Sequence, residues 1–231
     1  MDGFRFDSTI GIRNAYGNNN DPKNDISEGW WLLQELNSLI KSQPSAKITI
    51  AEDLQENEWV TKPAFFGAGG AGFDAQWVSR FYWDIHNAVV VPADSSRNMF
   101  AVRDVIEQRY GSDAFSRILF SENHDQVHAD KGNLRLPDAI DRGHADSYFA
   151  RKRSTLAAAI VMTAPGIPMI FQGQEFLEWL AWTDKTALDW SKKDSLIGGK
   201  ILALLNPSMN HAIASSLRAR SARSATEPYF R

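Results

Sequence analysis

Three times this chain runs through a short stretch of aromatic or β-branched residues and stops on charged ones. The stretches are GFRFD at residues 3–7, KITIAED at 47–53 and RILFSENHD at 117–125. Successive side chains of a strand point to opposite faces. A strand that ends in carboxylates, an arginine or a histidine is therefore poor core material unless that end lines a site. In the first stretch Phe4 and Phe6 share one face, and Arg5 and Asp7 share the other. In the second, Ile48, Ile50 and Glu52 fall together. The third delivers Glu122, His124 and Asp125 at its end. A guanidinium beside Asp7 would hold it ionised, the state in which a carboxylate acts as a nucleophile. The alternative is a surface ion pair at a strand end, which contributes little.

Helical patterns separate these stretches. A loop rich in Asn and Gly, 14–24, precedes a helix with Leu32, Leu33, Leu36, Leu39 and Ile40 at helical spacing. Asp25 reads as its cap, with Glu28 as the reciprocal partner, and Pro44 marks its end. Residues 56–72 read as a loop closing in a flexible glycine cluster at 67–70. Two helices are expected over 77–91 and 96–110, a long polar loop over 126–146 and a helix over 151–164. Strands are expected at 1–7, 47–52, 72–76, 117–121 and 167–171. Strands alternating with helices argue an α/β fold with a parallel sheet and helical crossovers. Every charged cluster follows a strand's C-terminal end, where α/β barrels place their sites. An open doubly wound sheet also binds there, but no glycine-rich phosphate loop follows a strand here.

Composition bounds the function more weakly. At 231 residues with 43% hydrophobic content the chain can bury a sizeable core. A net charge of −3 gives no reason to expect nucleic acid or an anionic membrane as partner. The apolar run at 156–171 is broken by Pro165, Gly166 and Pro168, so it reads as helix, turn and strand rather than a membrane span. Cysteine is absent, which removes thiol chemistry and fits a reducing, cytoplasmic setting. The many Trp and Phe residues are expected mostly in the core. Trp59 and Trp77 could instead stack on sugar rings.

Retaining glycoside hydrolysis needs two carboxylates about 5–5.5 Å apart, one as nucleophile and one as acid/base. Neighbouring strands lie ~4.8 Å apart, so carboxylates on adjacent strand ends can reach that spacing. Arg5 would keep Asp7 charged, while Glu52 has no basic residue beside it in sequence and is the natural acid/base.

Three segments resemble signatures of the α-amylase family of glycoside hydrolases and transglycosidases. DGFRFD resembles its nucleophile segment, IAED its acid/base segment and ENHDQ the segment carrying its third carboxylate. GFDAQW and FQGQE are similar to its branching-enzyme and trehalohydrolase-like members. The resemblance implies Asp7 as nucleophile, Arg5 as its partner, Glu52 as acid/base, and His124 with Asp125 as the substrate clamp. Glu122 is expected to be structural. The implied activity is retaining α-glucan chemistry of branching or α-amylase type, with an α-glucan oligo- or polysaccharide as partner.

The family fold is an eight-stranded (β/α) barrel, and the five strands here match about its fourth to eighth. Residues 1–190 are thus expected to form a partial (β/α) TIM barrel, not closed within this chain. Residues 191–231 are expected to be a residual helix and a basic tail with little apolar periodicity. That pattern suggests a truncated or frame-shifted product. The family's first signature segment, which often sits near calcium, has no counterpart, so no calcium, other metal or cofactor is expected. An inactive fragment that self-associates through unpaired strand edges, or needs a complementing partner, is the alternative.

Overall fold

The computed structural model describes residues 2–65, 68–111 and 113–194. A parallel sheet organises them. Its strands are β1 (Gly3–Phe6), β2 (Ile48–Ala51), β5 (Ala75–Trp77), β6 (Arg117–Leu119) and β7 (Ile167–Pro168), in the order β1-β2-β5-β6-β7. A two-stranded antiparallel hairpin, β3 (Ala64–Phe65) with β4 (Ala68–Gly69), stands apart from it. The expected strands are all present but shorter, and the architecture is the expected α/β one, a partial barrel with β1 and β7 ending the strand order. The tail from 195 onward lies outside the described residues.

The chain divides into two compact units. The first comprises Met1–Ser79 and Arg109–Ile118. Here β1 pairs with β2 through Phe4↔Thr49 and Phe6↔Ala51, β2 with β5 through Ala51↔Gln76, and β5 with β6 through Gln76↔Arg117. One face of this sheet packs on a core of Leu33, Ala51, Val60, Ala71 and Phe73, against which Phe6, Ile12 and Trp30 lean. The Phe6 and Phe73 rings meet edge to face at 5.1 Å.

Helix α1 (Thr9–Arg13) follows β1 directly, and α2 (Ser27–Lys41) crosses it closely at Gly29. A Cβ there would come within 1.9 Å of the Ile12 carbonyl oxygen, so only glycine fits. α2 buries only part of its leucine stripe, with Leu33 buried and Leu36 and Ile40 half-buried. Leu32 and Leu39 are exposed, whereas Leu33, Gln34 and Asn37 are buried. Gln34 donates to the Gly70 carbonyl at 3.1 Å and Asn37 to the Ala71 carbonyl at 2.9 Å. These amides satisfy loop carbonyls that burial would otherwise leave unpaired. The helix begins after Ile26 without a side-chain cap, so Asp25 is not the cap; it lies 3.8 Å from Arg13 instead. Gly67 of the glycine cluster lies outside the described residues, and the end of the cluster at Gly70 is not a free loop. Gly70 donates to the Pro63 carbonyl at 2.9 Å, and a Cβ on it would meet the Lys62 carbonyl at 2.2 Å.

The second unit comprises Arg80–Gln108 and Leu119–Arg231. Helix α3 (Ser79–Val90) runs into it; the Ala88 carbonyl in its last turn accepts from Arg97, and the Val91 carbonyl just past its end accepts from Arg153. Helix α4 (Met99–Glu107) is capped by the Asn98 side chain, and α6 (Tyr148–Thr163) by Ser147. The expected polar loop at 126–146 contains the short helix α5 (Leu136–Ile140). Met169 donates to the Leu119 carbonyl at 2.8 Å, which sets β7 beside β6. Tryptophan is mostly not core: Trp31, Trp59, Trp83, Trp179 and Trp190 are exposed. No helix among the described residues is long and apolar enough to cross a membrane.

Candidate active site

Asp7, Glu52 and Trp77 each follow the rung Phe6–Ala51–Gln76 by one residue. Strand alternation puts them on one face, together with Arg5. This is the face opposite Phe6 and Ala51.

Arg5 Nη1 donates to Asp7 at 2.9 Å and Nη2 to Glu52 at 2.6 Å. The expectation that Arg5 distinguishes the two carboxylates therefore needs correcting, because the guanidinium serves both and lies nearer Glu52. Burial distinguishes them instead. The Asp7 side chain is 77% exposed and the Glu52 side chain 10%. Desolvation raises the Glu52 pKa above the ordinary glutamate value. A hydrogen bond from the Ser8 N–H (3.0 Å) and the charge of Arg5 pull against that rise, and the neighbouring Asp7 carboxylate adds to it. Ser8 supplies that N–H from a left-handed backbone, φ 46°. Leu54 and Glu56, just past Glu52, are also left-handed at φ 61° and 55°. Non-glycine residues in that region carry local strain of a kind that gathers at functional sites.

Behind Glu52 lies an ion pair that the sequence reading missed. Arg13 on α1 grips Asp53 through Nε at 2.7 Å and Nη2 at 2.6 Å, with both side chains fully buried. Thr9 completes the joint, since its N–H and hydroxyl both donate to the Glu52 carbonyl, at 2.9 and 3.1 Å. The partners stand 40 and 43 residues apart. The only local signal was a second acid directly after Glu52. Trp77 is 5% exposed, so its indole is not a sugar platform; it lies beneath Arg5, 4.3 Å from the guanidinium carbon.

In the second unit His124 and Asp125 stand together, His124 Nε2 lying 3.4 Å from Asp125 Oδ2. Lys131 also bonds Asp125, at 2.7 Å. His128 follows His124 by four residues, but the segment between them is a turn, and both rings meet Trp182 edge-on. Among the described residues no group of three or more His, Asp or Glu is arranged to hold a metal ion. Glu122 has the structural place expected of it. It is buried, accepts from Leu136 N–H at 2.7 Å and pairs with Arg135 at 3.1 Å. Arg135 also donates to the Gln172 and Leu180 carbonyls, fastening three segments together. Burial lifts Glu122 to about 7 against the pull of Arg135.

No protein-family model matches the chain. It is similar to 1,4-α-glucan branching enzymes. One from Cellvibrio japonicus is 26% identical over 180 residues, covering 74% of this chain and 22% of the relative. One from Methylococcus capsulatus is 28% identical over 206 residues, covering 84% and 24%. One from Rhizobium johnstonii is 30% identical over 191 residues, covering 78% and 22%. The chain thus spans about a fifth to a quarter of the length of the curated relatives it matches. A crystal structure described as an α-amylase candidate from Salmonella typhimurium shares the fold. It matches with a TM-score of 0.62 at 17% identity, over 94% of this chain and 44% of that one. Together, the three signature segments and these relatives support placing the chain in the α-amylase family.

Proposed function

We propose that this chain carries the nucleophile and the acid/base of a retaining enzyme acting on α-glucans. The observation that supports it best is the pairing at the sheet's charged face. Asp7 and Glu52 end adjacent parallel strands, share one guanidinium, and differ sharply in exposure. In the first step an Asp7 oxygen attacks the anomeric carbon and forms an ester while the glycosidic C–O bond breaks. The Glu52 proton passes to the leaving oxygen. In the second step Glu52 takes a proton from the incoming hydroxyl, which attacks the same carbon and releases Asp7. Burial suits Glu52 to the acid role, since it keeps the proton to higher pH than an exposed glutamate. His124 and Asp125 would hold substrate hydroxyls.

An incoming water gives hydrolysis and a sugar 6-hydroxyl gives a branch. The similarity to branching enzymes favours transfer to the sugar. The test is turnover of amylose and soluble starch by the purified chain, beside Asp7→Asn and Glu52→Gln. Each substitution should lower turnover by roughly 100-fold or more. Products should debranch with isoamylase, and the high-pH limb of the profile should lie above the ordinary glutamate range.

A second reading has the chain inactive alone and assembling with a partner. It is favoured by β1, which ends the strand order with Phe4 exposed. Wild-type turnover no greater than that of Glu52→Gln, together with a dimer on size exclusion, would select it.

A further inference from the structure

Arg5 has three contacts on this face. Two are the carboxylates already described, and the third is the flat face of Trp77, 4.3 Å from the guanidinium carbon. The indole comes from β5, a strand beyond the one carrying Glu52, and is 5% exposed. A guanidinium is planar, with its donors in that plane. Resting it on a ring fixes the directions in which those donors point. The attraction between cation and ring strengthens when the site is desolvated. Arginine otherwise has several rotamers, and one carboxylate could take both nitrogens in a fork. Here the nitrogens are divided, Nη1 to Asp7 and Nη2 to Glu52.

We propose that Trp77 is a positioning residue: its ring fixes the plane of Arg5 so that one cation is shared between Asp7 and Glu52. The inference rests on the reading of these two as the catalytic pair, and it explains why a buried tryptophan stands under a charged face. The charged groups around Glu52 are Arg5 and Asp7; Asp53, its chain neighbour, is occupied by Arg13.

The test is a carboxyl-carbon NMR titration of the full chain, with the Glu52 resonance assigned by its loss in Glu52→Gln. In Trp77→Leu the guanidinium loses its platform, Arg5 neutralises Glu52 less, and the Glu52 midpoint rises by roughly half a pH unit or more. In Trp77→Phe, which keeps a ring, the midpoint should return close to wild type. A folded Trp77→Leu protein whose Glu52 midpoint does not move would overturn the proposal.

A measurement on the wild-type chain guards against a variant that fails to fold. The Arg5 side-chain protons should be shifted upfield by the indole ring current, and ordinary arginine shifts would also overturn the proposal. Starch turnover is read separately. Its absence would count against the catalytic pair, while the titration would still decide the role of Trp77.

Discussion

Replacing Asp53 by Asn should damage this protein more than any change on its exposed surface, although Asp53 is not proposed to touch substrate. The substitution keeps the side chain's shape and removes its charge. Arg13 is then left as a buried cation with no exposed surface. Its remaining partners are the Asn20 amide oxygen at 2.7 Å, which is neutral, the Trp30 ring, 5.4 Å from the guanidinium carbon, and Asp25 at 3.8 Å, which is too far for a hydrogen bond. Breaking one side of a buried pair costs about 3–5 kcal/mol. For a chain of this size that corresponds to a melting point lower by roughly 6–20 °C. Urea unfolding of Asp53→Asn, Arg13→Met and the double variant checks the figure. The double variant removes the stranded charge, so it should be more stable than the sum of the single losses, with a coupling of roughly 2 kcal/mol or more. Additive losses, or an Asp53→Asn loss below about 1 kcal/mol, would refute the buried pair as drawn. The same variant should disturb the site, because Thr9, the first residue of the helix that Arg13 anchors, and Ser8, just before it, both bind Glu52.

Two further outcomes follow from the packing and the charges. Gly29→Ala improves helix propensity by about 1 kcal/mol, yet should destabilise the protein in thermal melts, because the new methyl group meets the Ile12 carbonyl at 1.9 Å. Glu122, lifted to about 7 in the folded chain from an ordinary value of 4.5, binds its proton more tightly folded than unfolded. Its contribution to stability is therefore full below about pH 4.5 and is lost as pH rises through about 7. Subtracting the stability–pH curve of Glu122→Gln from that of wild type should reveal that fall, and a flat difference would contradict the burial described.

The sheet was legible because its strands are short and apolar and three of the five end on charge, a pattern that survives in a single sequence. Strand alternation also placed Arg5 with Asp7, and Ile50 with Glu52. What it could not show depends on partners far along the chain. Leu32 and Leu39 keep helical spacing, but α2 buries Gln34 and Asn37 because their amides answer the Gly70 and Ala71 carbonyls more than 30 residues away. Arg5 looked like the partner of Asp7 alone because Glu52 lies 47 residues on. Trp77 read equally well as core or sugar platform, since nothing local shows that a guanidinium rests on it. Asp25 fitted a capping pattern, but the helix starts after Ile26 and Asp25 lies beside Arg13.

The central claim is that Asp7 bonds to the sugar while Glu52 moves the protons, and trapping the sugar on the protein tests it most directly. α-Glucosyl fluoride needs little help from an acid to lose fluoride, whereas release of the glucosyl group still needs a base. Glu52→Gln incubated with it should therefore gain the mass of one glucosyl unit, and peptide mapping should place that unit on Asp7. No adduct, or an adduct on any other residue, would contradict the account.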